Sequence, residues 1–217
     1  MLKALIQGFN INKMNLFKII IALIFPLSLL ACATPPPKNP ENICDIFFEN
    51  RDWYSASKEM KQRWGTPVHV PIAMMYQESS FKHDAAPPMQ YFWFIPIGRA
   101  SDAYGYAQAR DMAWHDYQRE TGNNWSSRDD FGDAIDFMGW FTSKTHQING
   151  VSKWDAYGQY LNYHEGWTGY KRKSYNKKPW LVKVSRKVDV RARKYAAQLR
   201  GCQENLDSSW LWRLFFA

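Results

Sequence analysis

The sequence predicts a mainly α-helical fold, and three observations carry that prediction. Apolar residues recur at helical spacing in several separate stretches, and Gly, Pro, Ser and Asp stand where such stretches would start and stop. No alternating apolar and polar run of useful length marks a strand. From Glu41 to Trp64 the positions Cys44, Ile46, Phe47, Tyr54, Met60 and Trp64 trace a first helical segment, stopped by Gly65-Thr66-Pro67. A second helix begins near Pro71, because proline's missing N–H costs nothing in a first turn. Residues 82–104 hold Pro87, Pro88, Pro96 and Gly98 among aromatic side chains and read as one long ordered loop, a candidate cleft wall. Helix resumes over Tyr106 to Glu120 and ends at Thr121-Gly122-Asn123. Ser126 or Ser127 then caps a run with Asp129, Asp130 and Asp133 in or near its first turns, continuing to about His146. Two more helices are expected over Trp154 to Glu165 and Pro179 to Leu199, and there is no internal repeat.

The ends of the chain have a different character. Lys3, Lys13 and Lys18 precede the apolar run Ile19 to Leu30 with no acidic residue among them, which is the pattern of an export signal. A run of about a dozen apolar residues is shorter than the roughly 20 a spanning helix needs. Ala31-Cys32 resembles a bacterial lipobox, in which the cysteine receives lipid and becomes the mature N-terminus; an ordinary secretory signal cut nearby, with Cys32 a plain thiol, is the alternative, and Met14 offers an alternative start. Ala33 through Pro40, rich in proline, favours an extended tether that reaches about 25 Å. The expected organisation is therefore a leader at 1–31, a tether at 32–41, a folded domain at 42–202 and an apolar tail at 203–217. Docking on the domain is the first expectation for the aromatic tail Trp210 to Ala217, with a membrane or protein contact as the alternative.

With Cys32 assigned to lipid, Cys44 and Cys202 remain near the two ends of the domain. In an oxidising compartment they can form a disulfide, and two independent buried thiols are the alternative. The chain carries 28 Lys and Arg against 20 Asp and Glu, a formal net charge of +8. Loss of the leader removes three lysines and no acid, so the mature protein stays basic. On an exported protein that charge suits an anionic envelope polymer or lipid head groups, and no nucleic-acid motif accompanies it. His69, His83, His115, His146 and His164 show no close metal-ligand pairing, no glycine-rich phosphate loop appears, and the serines lack a nucleophile elbow. Neither a metal nor a cofactor is expected.

One carboxylate stands out. Glu78 ends the helical run Val70 to Gln77, apolar apart from Tyr76 and Gln77, and leads into Ser79-Ser80-Phe81. Burial at the end of such a helix penalises the charged form, so its pKa should rise and leave it protonated near neutral pH, as a general acid requires.

Three segments in order resemble the catalytic domain of soluble lytic transglycosylases, the goose-type-lysozyme-like enzymes that cut peptidoglycan glycan strands. Glu78-Ser79-Ser80-Phe81 looks like that family's Glu-Ser-x-Phe signature. Gly105-Tyr106-Ala107-Gln108 is similar to its Gly-Leu-Met-Gln turn, with Gly and Gln shared. Tyr163-His164-Glu165-Gly166 stands where the family has Ala-Tyr-Asn-Ala-Gly; Tyr163 and Gly166 agree, Asn162 replaces Ala and His164 replaces Asn. The resemblance covers about residues 67–200 and implies a lysozyme-like helical domain in which the long loop lines a glycan cleft.

What it implies chemically is cleavage of the MurNAc-GlcNAc β-1,4 bond with a 1,6-anhydro end, Glu78 acting as acid and then as base without an obligatory second carboxylate. Ser79 and Ser80, Gly105, Tyr106, Gln108, Tyr163 and His164 are the implied substrate-binding positions. Ser79 is expected to bond substrate or orient Glu78, Gln108 to offer a donor and an acceptor to an amido sugar, and Tyr163 to bond Glu78 while packing on the sugar. The partners implied are glycan strands and, through lipid on Cys32, a membrane; Ala33 after that cysteine favours the outer membrane, facing the periplasm. The alternatives are a hydrolytic muramidase, in which Asp84, Asp102 or Glu165 positions a water, and a non-catalytic peptidoglycan-binding lipoprotein.

Overall fold

The computed structural model describes residues 34–216, so the leader and Cys32 lie outside the described residues. Seven α-helices and one two-stranded hairpin make up the described chain: α1 (Ile43–Glu49), α2 (Arg51–Trp64), α3 (His69–Ser79), β1 (Met89–Phe92), β2 (Ile95–Arg99), α4 (Asp111–Thr121), α5 (Phe131–Asn149), α6 (Ala156–Lys171) and α7 (Pro179–Phe216), with a single 3-10 turn at Ser174–Lys177 before α7. The mainly α expectation holds. Among the described residues no helix is long and apolar enough to cross a membrane.

α3 forms the centre. Val70 to Met75 are all buried, because the helix packs against α5, α6 and α7 on different sides and has no polar face to present. Around it the core is heavily aromatic: the Trp53 and Phe131 rings stack at 4.1 Å, and Tyr117, Phe137 and Trp140 form a second cluster on α4 and α5. One carboxylate ties three helices together at the edge of this cluster. Asp136 on α5 accepts from Trp64 Nε1 (2.7 Å), Tyr117 Oη (2.8 Å) and Arg63 Nη1 (2.9 Å), so α2, α4 and α5 share a polar anchor.

Several boundaries differ from expectation, each for a local reason. The first segment is two helices, because Asn50 both ends α1 and starts α2. α4 begins at Asp111, since residues 104–109 close an isolated bridge, Tyr104 to Ala109, around the turn that follows Gly105. The cap of α5 is Asp130, whose carboxylate accepts from the Asp133 N–H at 2.9 Å; neither Ser126 nor Ser127 holds that position. α6 continues past Glu165 to Lys171 through a kink at Gly166, and α7 runs on through the expected boundary at residue 202, its backbone helical to Phe216. The docking expected of the aromatic side chains from Trp210 onward lies outside the described residues.

The long loop is the largest departure. It contains an antiparallel hairpin in which Met89 pairs with Arg99 and Phe92 with Ile95, with an irregularity between Gln90 and Tyr91. Every residue of both strands is exposed. With neither face packed on a core there is no reason for side chains to alternate in polarity, so the sequence carries no strand signal here.

Cys44 and Cys202 are disulfide-bonded, joining α1 to α7 across 158 residues with their Cα atoms 6.1 Å apart. The expectation of a disulfide in preference to two free thiols is met.

Candidate active site

The site is built where the C-terminal end of α3, the turn at residues 105–108 and one face of α6 meet. α3 stops because Ser80 and then Phe81 adopt left-handed backbone (φ 53° and 62°), the Ser80 N–H closing on Tyr76 O at 2.9 Å. Two successive non-glycine residues in that conformation are costly and must be held by their surroundings. Phe81 is fully buried, stacking near Tyr76 and tilted against Trp53, and this burial fixes the end of the helix that carries Glu78.

Glu78 is partly buried, and loss of solvation pushes its carboxyl up to about 7, opposed only by a hydrogen bond from Tyr160. Near neutral pH a large fraction is therefore protonated. The expectation that Tyr163 would bond Glu78 needs correction: Tyr160, one turn earlier on the same face of α6, makes that bond. Tyr163 Oη instead donates to Ala107 O at 2.6 Å, while its ring packs edge-on against Phe141. Burial raises the Tyr163 hydroxyl well above its ordinary value, and the nearby Glu78 charge adds to this. Both tyrosines thus stay neutral and serve as hydrogen-bond donors.

The Gly105 to Gln108 turn is held from both sides. Ser79 Oγ, buried, donates to Tyr106 O at 2.7 Å, joining α3 to the turn, and Tyr163 joins α6 to it one residue on. The three separate sequence segments thus form one hydrogen-bonded unit. Gly105 has φ 76°, and a Cβ there would stand 1.9 Å from Arg128 O, so only glycine fits. Its N–H donates to Ala85 O (2.8 Å). Gln108, itself left-handed at φ 50°, uses its amide nitrogen on Ala85 O (2.6 Å) and Gly105 O (3.1 Å), which leaves Oε1 without a donor among the described residues. Ala85 therefore receives two bonds from the turn, and the exposed hairpin rises from a base stitched beside Gln108.

Other expected residues fall elsewhere. Tyr106 is a core residue, 2% exposed, its ring edge-on to Trp53 and Phe131, so it offers its backbone and not its ring. Ser80 is exposed at the helix end. His164 is exposed too, its Nδ1 3.0 Å from Glu165 and its ring edge-on to Trp180. Glu165 is enclosed; burial works against its charge, but hydrogen bonds from Lys178, Ser174 and His164 outweigh that and hold the carboxyl at about 2. Asp102 is paired with Arg110 at 2.7 Å. Among the described residues, no group of three or more His, Cys, Asp or Glu is placed to hold a metal.

The sequence model of the family described as "Transglycosylase SLT domain" matches residues 20–202. The chain belongs to this family. No curated protein matches the chain significantly. The family is that of the lytic transglycosylases, and its domain implies peptidoglycan as the substrate. Within this SLT domain the residue that sequence reasoning missed is Tyr160. Its signal was present, since position 160 lies three before Tyr163 and so shares its helix face, but nothing in a single sequence ranks one tyrosine of that face above the other.

Proposed function

We propose that the protein is a lipid-anchored lytic transglycosylase that cleaves the MurNAc-GlcNAc β-1,4 bond of peptidoglycan with Glu78 as its only acid and base. The observation that carries this is Glu78 at the end of α3, beside the turn that Ser79 and Tyr163 hold, with burial pushing its carboxyl up to about 7 against a bond from Tyr160. Glu78 gives its proton to the bridging oxygen as the C1–O bond breaks, and the GlcNAc side leaves as a free hydroxyl. The MurNAc C6 oxygen then bonds to C1, and its proton returns to Glu78. No water is consumed, and the new end is 1,6-anhydro-MurNAc. Hydrolysis would call for a second carboxylate free to hold a water; of the three candidates Glu165 and Asp102 are each engaged with a cation, while Asp84 is exposed and forms no ion pair among the described residues, so product analysis decides between the internal hydroxyl and water. Gln108 Oε1 is suited to accept from the N–H of an acetamido group, and the aromatic hairpin beside it to flank the strand. Lipid on Cys32 and the tether to Pro40 would keep the enzyme at the outer membrane, facing the periplasm.

Digestion of purified sacculi followed by mass spectrometry tests the reaction. Wild type is expected to release anhydro-muropeptides, and Glu78→Gln to lower the rate by at least about a hundredfold, the scale of a lost general acid. Reducing-end muropeptides alone would overturn the transglycosylase reading in favour of a muramidase, and equal background release by both proteins would leave a non-catalytic wall-binding protein.

A further inference from the structure

α7 carries a groove of about 980 Å³ whose lining includes none of the residues of the candidate active site. Val182, Lys183, Arg186, Lys187, Val190 and Arg191 recur every three to four residues and so share one face of the helix, with Lys194 and Glu41 at the end of the groove. Its charge is lopsided, with five cations against one acid. Glu41 accepts from Arg191 (3.0 Å) and Lys194 (3.3 Å), while Lys183, Arg186 and Lys187 form no ion pair among the described residues. Like charges three and four apart on a helix repel, so this arrangement costs the fold stability that an external anion would return. Arg191 is held in place, its guanidinium 3.9 Å over the Tyr76 ring and its side chain 18% exposed, yet its buried Nε has no hydrogen-bond partner among the described residues. Val182 and Val190 line the groove beside the cations, so the face is amphipathic and suits a ligand with both phosphate and apolar parts.

The place of the groove in the chain identifies that ligand. Tyr195 donates to Pro40 O, and Glu41 follows at the rim, so the proline-rich tether ends on this face. Pro40 stands eight residue steps after Cys32, a span of at most about 29 Å. We propose that this groove binds the head groups of anionic phospholipids, their phosphates bridging Lys183, Arg186 and Lys187, and so lays the domain against the membrane that its tether enters. The proposal rests on the lipid-anchored reading above for its membrane, and on the groove alone for its chemistry.

Co-sedimentation of the full chain with phosphatidylcholine vesicles, with and without phosphatidylglycerol, measures the part of binding due to the anionic lipid, separately from any acyl anchor. Wild type should bind the mixed vesicles at least about tenfold more tightly, an advantage that salt erodes, because each cation near such a surface contributes several-fold. Lys183→Glu/Arg186→Glu/Lys187→Glu should lose that advantage while producing the same muropeptides; the glutamine triple variant, milder on the helix, should lose most of it. An unchanged dependence on phosphatidylglycerol in both triple variants would overturn the proposal. So would displacement by inorganic phosphate at matched concentration, which would mark a free-phosphate site, or loss of sacculus binding in place of vesicle binding, which would assign the groove to the wall polymer. Glu78→Gln should keep full vesicle binding, so failure of the catalytic reading and failure of this one are told apart, and the mass of the mature N-terminus reports on the lipid independently.

Discussion

The hydrogen bond from Tyr160 lowers the pKa of Glu78 against the stronger upward push of burial. That opposition has a sign that kinetics can read. The acid form starts the reaction, so kcat/KM falls as pH rises through the Glu78 pKa of about 7. Tyr160→Phe removes the one interaction favouring the charged form, so the alkaline limb should move to higher pH while the rate on the plateau falls through poorer aim of the carboxyl. A lower plateau with an unmoved limb would mean that Tyr160 only packs. Glu78 itself is legible in the sequence, because an uninterrupted apolar run leading toward a single acid is enough to signal desolvation. Tyr160 is not, since its role depends on which point of the α6 face turns toward α3, and that is fixed by packing between helices far apart in sequence.

At the scale of elements, the turn at residues 105–108 is where conformational demand is greatest. A methyl at Gly105 would meet the Arg128 carbonyl at 1.9 Å, and backbone cannot yield as a flexible side chain would. Gly105→Ala should therefore cost about 3 kcal/mol, combining overpacking with left-handed strain, and lower Tm by roughly 5–10 °C in a domain of this size. Because Tyr106 and Ala107 supply the carbonyls that Ser79 and Tyr163 hold, kcat should fall further than stability alone accounts for; a normal kcat at a temperature where the variant is fully folded would show that the turn does not position the site. Two helix ends are legible from their stop signals: Gly65 and Gly122 each take left-handed backbone as C-caps. Starts are harder to read where several candidate caps stand together, as with Ser126, Ser127 and Asp130, since only the side chain that reaches a free N–H does the capping. The hairpin is illegible because its residues Tyr91 to Ile95 are more than half exposed, so no buried face imposes a period on them.

For the molecule as a whole, the disulfide between Cys44 and Cys202 closes a loop of 158 residues, nearly the entire described domain. In the chain-entropy account a loop of that length is worth up to about 5 kcal/mol, all of it through the unfolded state. The native contacts around it argue for the same division. Gln198 bonds Ile43 N (3.1 Å) and Glu41 O (3.2 Å), and Asp207 accepts from Tyr54 (2.9 Å) and Lys58 (2.6 Å), so α1 and α2 stay fastened to α7 without the sulfurs. Cys44→Ser/Cys202→Ser should accordingly keep its activity on sacculi at room temperature while its urea midpoint falls. Its m-value should rise, because an uncrosslinked chain exposes more surface on unfolding. A lower midpoint with an unchanged m-value would place the loss in native packing around α1, and an immediate loss of activity would mean that the covalent clamp, and not the α3–α6 hydrogen-bonded unit, keeps Glu78 in register.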